Sequence, residues 1–204
     1  MDEIPQTRWE LAETDGYAER FAELIDDGVD VVGEARLADV LVRRGARILD
    51  AGAGMGRIGA ELQRRGHTVV AVEKDPTLVA AAAGRYPDLQ VVESDLLALT
   101  PALLAEHGGA DFDLVVLVGN VIVLAAPETE VRMLSTLRGL LGPAGRILVG
   151  FHPVDSPASS ARPYPFAEFA ADVDAAGLTV QHRFGTYELA PPSDEYVVAV
   201  LAGS

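Results

Sequence analysis

The sequence predicts a doubly wound α/β fold built on a mostly parallel sheet with helices on both faces. Three observations carry this. From residue 46 onward short apolar, β-branched runs alternate with segments of helical periodicity. The run FDLVVLVG at 112–119 is apolar at odd and even positions alike, as a central parallel strand buried on both sides must be. The last two β-patterned runs, 178–188 and 195–202, are joined by LAPPSD with no helix between them, so they are expected to pair antiparallel.

The elements follow in order. Residues 15–26 read as an amphipathic helix with Tyr17, Phe21, Leu24 and Ile25 on one face, and 33–43 as a second with Leu37, Val40 and Leu41 on its apolar side. RILD at 47–50 is a short strand. A helix over 57–65 closes at Gly66, and HTVVAVE at 67–73 is the second strand. Pro76 starts the next helix from its first position, LQVVE at 89–93 is a third strand, and 112–119 a fourth. Pro127 opens a helix carrying Met133, Leu134, Leu137, Leu140 and Leu141. GPAG at 142–145 stops it, and RILVGF at 146–151 is the fifth strand. Residues 152–163 read as loop, and 165–176 as a helix with Phe166, Phe169, Ala170 and Val173 in register.

Bulk properties narrow the function. The 204 residues suit one domain, with 1–45 as a helical lid, 46–151 as a ligand-binding core and 152–204 as a substrate-side helix and strands. A net charge of -15 opposes phosphate backbones, so nucleic acid is not expected as a partner. No cysteine is present, which excludes disulfides, thiolate metal sites and cysteine nucleophiles, and the four histidines (67, 107, 152, 182) are scattered, so no metal site is expected. Neither a signal peptide nor a membrane-spanning run is read in the chain, which points to a cytoplasmic protein, monomeric or homodimeric.

In a doubly wound sheet ligands bind beyond the carboxyl ends of the strands. Those ends carry Asp50 with the glycine loop, then Glu73, Asp95, Gly119-Asn120 and His152. The stretch LDAGAGMGRIG admits two readings. Gly54-x-Gly56-x-x-Gly59 spells a dinucleotide fingerprint. Its first glycine nonetheless comes four residues after Asp50, and an aspartate at the strand tip would repel a pyrophosphate. The alternative begins at the tip, Asp50-x-Gly52-x-Gly54-x-Gly56, and suits a ligand with a cationic group and no phosphate. Glu73 is placed to accept from two ribose hydroxyls, which identifies a nucleoside but not which one.

The chain resembles the class I S-adenosylmethionine-dependent methyltransferases. ILDAGAGMGRIGAEL is similar to their first motif, VVAVEKDP to the second, VVESDLLAL to the third and FDLVVLVGNVIVL to the fourth, with LRGLLGPAGRILVGF like the helix, turn and strand that follow. The resemblance implies a seven-stranded sheet with an antiparallel last strand and S-adenosylmethionine as cofactor. It implies cofactor contacts from Asp50, Ala51, Gly52, Gly54 and Gly56, ribose binding by Glu73, adenine contacts from Lys74, Asp95 and Leu96, and Gly119 and Asn120 beside the sulfonium. Three departures matter. Ala53 stands where the family often has cysteine, a change expected to be tolerated, and the scattered histidines disfavour metal-assisted catechol-type methylation. The Asn/Asp-Pro-Pro-aromatic motif of amino-group methylating relatives is replaced by GNVIV, which argues against that class of target.

If the acceptor is a hydroxyl, His152 is the candidate base, with Asp155 and Tyr17 behind it; His152 reads equally as a surface loop histidine. Trp9, Tyr17 and Phe21 either face an aromatic or apolar small-molecule acceptor or pack on the domain, and Glu34 and Arg36 precede the core, where they orient either the lid or the methionine end. The competing readings are a cofactor-binding protein without methyl transfer and an NAD-dependent oxidoreductase, for which no Tyr-x-x-x-Lys pair is present.

Overall fold

A computed structural model of the chain describes residues 4–12 and 16–203. Position 15, the first residue of the expected N-terminal helix, lies outside them. Seven strands form one sheet: β1 (Arg47–Ala51), β2 (Thr68–Glu73), β3 (Gln90–Glu93), β4 (Phe112–Leu117), β5 (Leu141–Phe151), β6 (Leu178–Phe184) and β7 (Val197–Gly203). Their order is β3-β2-β1-β4-β5-β7-β6. The first five run parallel, and β7 is antiparallel to both β5 and β6. The helices are α1 (Tyr17–Asp26), α2 (Gly33–Leu41), α3 (Arg57–Arg64), α4 (Pro76–Arg85), α5 (Glu130–Arg138) and α6 (Phe166–Ala175).

Each sheet face carries its own apolar cluster. One joins Leu49, Val115 and Val149 to Met133, Leu134 and Leu137 of α5 and to Phe169 and Val173 of α6. The other joins Ile48, Leu114 and Leu148 to Ala35, Leu37 and Ala38 of α2 and to Ile58 and Leu62 of α3. The alternation of Ile48 and Leu49 between the two clusters is the period-two pleat of a strand buried on both faces. Local rules set several boundaries. Asp75 caps α4 by accepting from Thr77 N at 2.9 Å, with Pro76 at the first helical position.

Four expected elements shift. Val40 is 79% exposed, because α2 buries Ala35, Leu37 and Ala38 and Val40 points away from that face. The helix after Pro127 begins only at Glu130; Glu128 has φ 61° and Thr129 Oγ1 donates to Ala126 O at 2.8 Å, a turn that delays the helix. GPAG does not end before a strand but lies within β5. Leu141 pairs with Phe112 and Arg146 with Leu114, so the stretch between bulges out of the ladder. Finally, β6 stops at Phe184, where Gly185 N donates to Ala190 O at 2.9 Å and the chain turns.

Candidate active site

The strand order reverses between β1 and β4, with β2 and β3 on one side and β5 on the other, and a cavity opens there beyond the carboxyl ends. It holds about 850 Å³, open solvent at its mouth included. Its floor is the glycine loop. Gly52 N and Ala53 N both donate to Val72 O at 2.9 Å, and Gly54 N donates to Glu73 Oε2 at 2.8 Å. Asp50 Oδ2 accepts from Gly59 N, also at 2.8 Å, in the first turn of α3. The tips of β1 and β2 thus hang the loop between them.

The two carboxylates at these tips are buried, Asp50 at 2% and Glu73 at 7% exposure. Burial pushes Asp50 up to about 7, against the pull of the Gly59 N–H and the Arg57 charge. Burial likewise raises Glu73, although Asp75 N, Gly54 N and Lys74 N all donate to it. The third acid, Asp95, is shared: Oδ1 accepts from Leu97 N at 2.8 Å and Oδ2 meets Lys74 Nζ at 3.0 Å. Lys74 Nζ also lies 2.9 Å from Glu10 Oε2. That contact, with the Thr7 N–H, lowers Glu10 to about 2.

The segment before α1 closes one side. Trp9 N donates to Leu124 O at 3.2 Å, its indole Nε1 donates to Asp75 Oδ2 at 2.9 Å, and Arg8 Nη1 donates to Ala125 O at 2.8 Å. The Trp9 ring meets Tyr17 edge-on at 5.2 Å, and Tyr17 meets Phe21 at 4.9 Å. Behind them Arg57 pairs with Glu34 at 2.6 Å, both side chains 12% exposed, and lies over the Phe21 ring.

Asp50, Gly52, Gly54, Glu73, Lys74, Asp95, Leu96, Gly119 and Tyr17 come together in this lining. Other expected residues do not. Ala51 is turned into the core at 1% exposure. Gly56 packs on α4 and the turn beyond it; a Cβ there would stand 2.8 Å from Leu89 Cδ2, so this glycine serves helix packing. Phe21 lies one layer out, between Tyr17 and Arg57. Asn120 and His152 hydrogen-bond each other, and His152 lines a second cavity with Asp155, Tyr187 and Tyr196. Arg36 pairs with Asp30 and Glu188, outside both.

The first cavity also uses Thr7, Arg57, Ser94, Val121 and Met133, which the sequence did not single out. Arg57 sits inside the glycine motif itself and was the one open to discovery there. Among the described residues no group of three or more metal-ligating side chains occurs, and no helix is long and apolar enough to cross a membrane.

Comparison with known proteins gives a consistent family. A family model described as a methyltransferase domain matches residues 48–145. The crystal structure of a TehB-like SAM-dependent methyltransferase from Corynebacterium glutamicum superposes with a TM-score of 0.81 at 33% identity, covering 94% of this chain and 98% of that one. The magnesium-protoporphyrin O-methyltransferase of Rhodobacter capsulatus is 35% identical over 103 residues, 50% of this chain and 43% of that protein. The ribosomal RNA small subunit methyltransferase A of Chlorobium chlorochromatii is 32% identical over 62 residues, 30% of this chain and 24% of that protein. The matches therefore span less than half the length of these curated relatives.

Proposed function

The chain belongs to the class I S-adenosylmethionine-dependent methyltransferases, and we propose that it transfers a methyl group from S-adenosylmethionine to a small-molecule acceptor. The observation that carries this is the convergence of Asp50, Glu73 and Asp95 on one cavity floored by the Gly52–Gly54 turn.

The residues present suit the cofactor. At Gly119 the space a Cβ would point into is open, and at Gly54 a Cβ would meet only Tyr17, at 3.8 Å. Both glycines therefore leave room for a ligand to approach the backbone. Glu73 keeps acceptor capacity beyond its three backbone partners and would take the ribose hydroxyls. Asp95 and Leu96 would hold the adenine, Gly52 and Gly54 the methionine portion, and Asp50 its cationic side. When bound, the cofactor supplies an electrophilic methyl group on a sulfonium. The protein's work is then alignment and the exclusion of water, with Trp9 and Tyr17 covering the cavity as part of a lid formed by residues 4–12 and 16–26.

The second cavity fits the acceptor. Gly119 lines the first cavity, and the next residue, Asn120, touches His152 of the second. The charged side chains around the second cavity are Asp155, Glu188, Asp194 and Glu195. Together with a net charge of -15 they disfavour a phosphate backbone. This favours a small acceptor over the RNA of the ribosomal relatives, and His152 is the base for an acceptor proton.

Isothermal titration with S-adenosylmethionine, S-adenosylhomocysteine and NAD tests the cofactor. Binding of the first two alone is expected; binding of NAD alone would restore the dinucleotide reading. A panel of hydroxyl, thiol and amine acceptors, assayed for S-adenosylhomocysteine release, then separates a methyltransferase from a protein that only binds the cofactor.

A further inference from the structure

Asn120 has an unusual setting. It follows Gly119 in a second consecutive left-handed conformation, φ 73° after φ 72°. Asparagine tolerates that region better than most side chains, but glycine would occupy it more easily. A side chain is kept here, and its oxygen is engaged twice. Asn120 Oδ1 lies 2.8 Å from His152 N and 3.0 Å from His152 Nδ1.

These two contacts fix a tautomer by elimination. A main-chain N–H only donates, so the Asn120 atom facing it must be the carbonyl oxygen and not the amide nitrogen. The same oxygen then faces Nδ1 and has no proton to give. The Nδ1 contact is a hydrogen bond only if the ring carries its proton on Nδ1. In a neutral imidazole the Nε2 lone pair is then open. His152 stands directly after β5 and is held edge-on at 4.7 Å by Tyr196, whose hydroxyl is 3.0 Å from that of Tyr187. One element after another thus fixes the ring: the β4 end through Asn120, β5 through the main chain, and the segment entering β7 through Tyr196.

We propose that Asn120 is a positioning residue that holds His152 as the Nδ1–H tautomer, with Nε2 as the proton acceptor for the methyl acceptor in the second cavity. This rests on the methyl-transfer reading above. As the acceptor heteroatom forms its bond to the methyl carbon, the carbon–sulfur bond breaks with its electron pair left on sulfur. The heteroatom's proton passes to Nε2 and later to solvent. Burial lowers the His152 pKa below its ordinary value, which keeps the ring neutral and ready to accept. The groups that share its cavity are Asp155 on the following loop, Tyr187 and Glu188 from the turn after β6, and Asp194, Glu195 and Tyr196 before β7. The carboxylates among them favour the protonated ring, so the neutral state depends on burial prevailing.

Long-range proton–nitrogen NMR of the cofactor-free protein reads the tautomer directly, without any acceptor. Wild type is expected to show the proton on Nδ1 and a lone pair on Nε2. Asn120→Gly suits the backbone and keeps the fold, yet should lose the Nδ1 preference. Asn120→Asp retains an acceptor for both contacts, so it should restore the Nδ1 proton and shift the His152 titration to higher pH. An Nε2–H tautomer in wild type, or one unchanged in Asn120→Gly, overturns the proposal. Failure of the methyl-transfer reading shows separately, as absent S-adenosylmethionine binding in calorimetry or as no S-adenosylhomocysteine release by wild type across the acceptor panel.

Discussion

Asp50 offers the sharpest test of the site's electrostatics. Its carboxyl ionises near 3.8 in an unfolded chain and at about 7 in the fold, because burial at the tip of β1 outweighs the single Gly59 N–H it accepts. Between those values the folded protein holds a proton that the unfolded chain has released. Stability from this group is therefore full below the unfolded pKa and is lost as pH rises through the folded one. The whole gap corresponds to about 4 kcal/mol, of which about 3 kcal/mol falls between roughly pH 5 and pH 8. Asp50→Asn keeps an oxygen for Gly59 N and does not titrate, so it removes this slope and leaves other groups in place. Urea unfolding of both proteins across that range is expected to show the variant gaining about 3 kcal/mol on wild type at the alkaline end. Parallel pH profiles would refute the reasoning, since they require an Asp50 that ionises alike in both states. The same proton reports on the ligand. A cationic group bound beside Asp50 favours the carboxylate, so S-adenosylmethionine binding near neutrality should release a proton. Calorimetry in buffers of different ionisation enthalpy measures it, and no release would place the cation away from Asp50.

Three further outcomes are expected. Glu73→Ala strips Gly54 N, Lys74 N and Asp75 N of their acceptor and the ribose of its own; at about 1.5–3 kcal/mol for a hydrogen bond to a charged group, affinity for S-adenosylmethionine should fall at least tenfold by calorimetry. Gly52→Ala places a Cβ 2.6 Å from Val121 Cγ2 at φ 75°, so it should cost roughly 2–4 kcal/mol, read as a lower Tm, and tilt Val121 into the cavity; a Tm equal to wild type would mean the loop relaxes freely. Trp9→Phe keeps the ring against Tyr17 but loses the indole N–H to Asp75, and should speed S-adenosylhomocysteine dissociation in stopped-flow while leaving Tm within a degree or two; an unchanged rate would count against the proposed lid.

Much of the site was legible because its chemistry is local in sequence. A carboxylate at a strand tip can be read from a short apolar run that ends in Asp50, Glu73 or Asp95, and the glycine turn stands next to the first of them. The misplaced residues show where locality ends. Gly52 and Gly56 look alike in the motif. Yet one borders the cavity and the other accommodates Leu89, more than thirty positions on, a contact that no local pattern carries. Ala51 shares the motif but points to the opposite side of the pleat from Asp50, as period two demands. The bulge at GPAG escaped because its signal is that of a turn, and only pairing with Phe112 and Leu114 makes it part of β5. Long-range contacts also place the N-terminal segment. Trp9 reaches Asp75 and Leu124, and Lys74 reaches Glu10, so the N-terminal segment joins the cavity through partners more than sixty positions away. His152 is the most instructive case. Its position after β5 was plain from the sequence, but its separation from the first cavity and its hold by Asn120 were not. That separation divides the site in two: the β1 and β2 tips with Asp95 line the cavity proposed for the cofactor, while His152 and Tyr196, with Asn120 behind His152, line the one proposed for the acceptor.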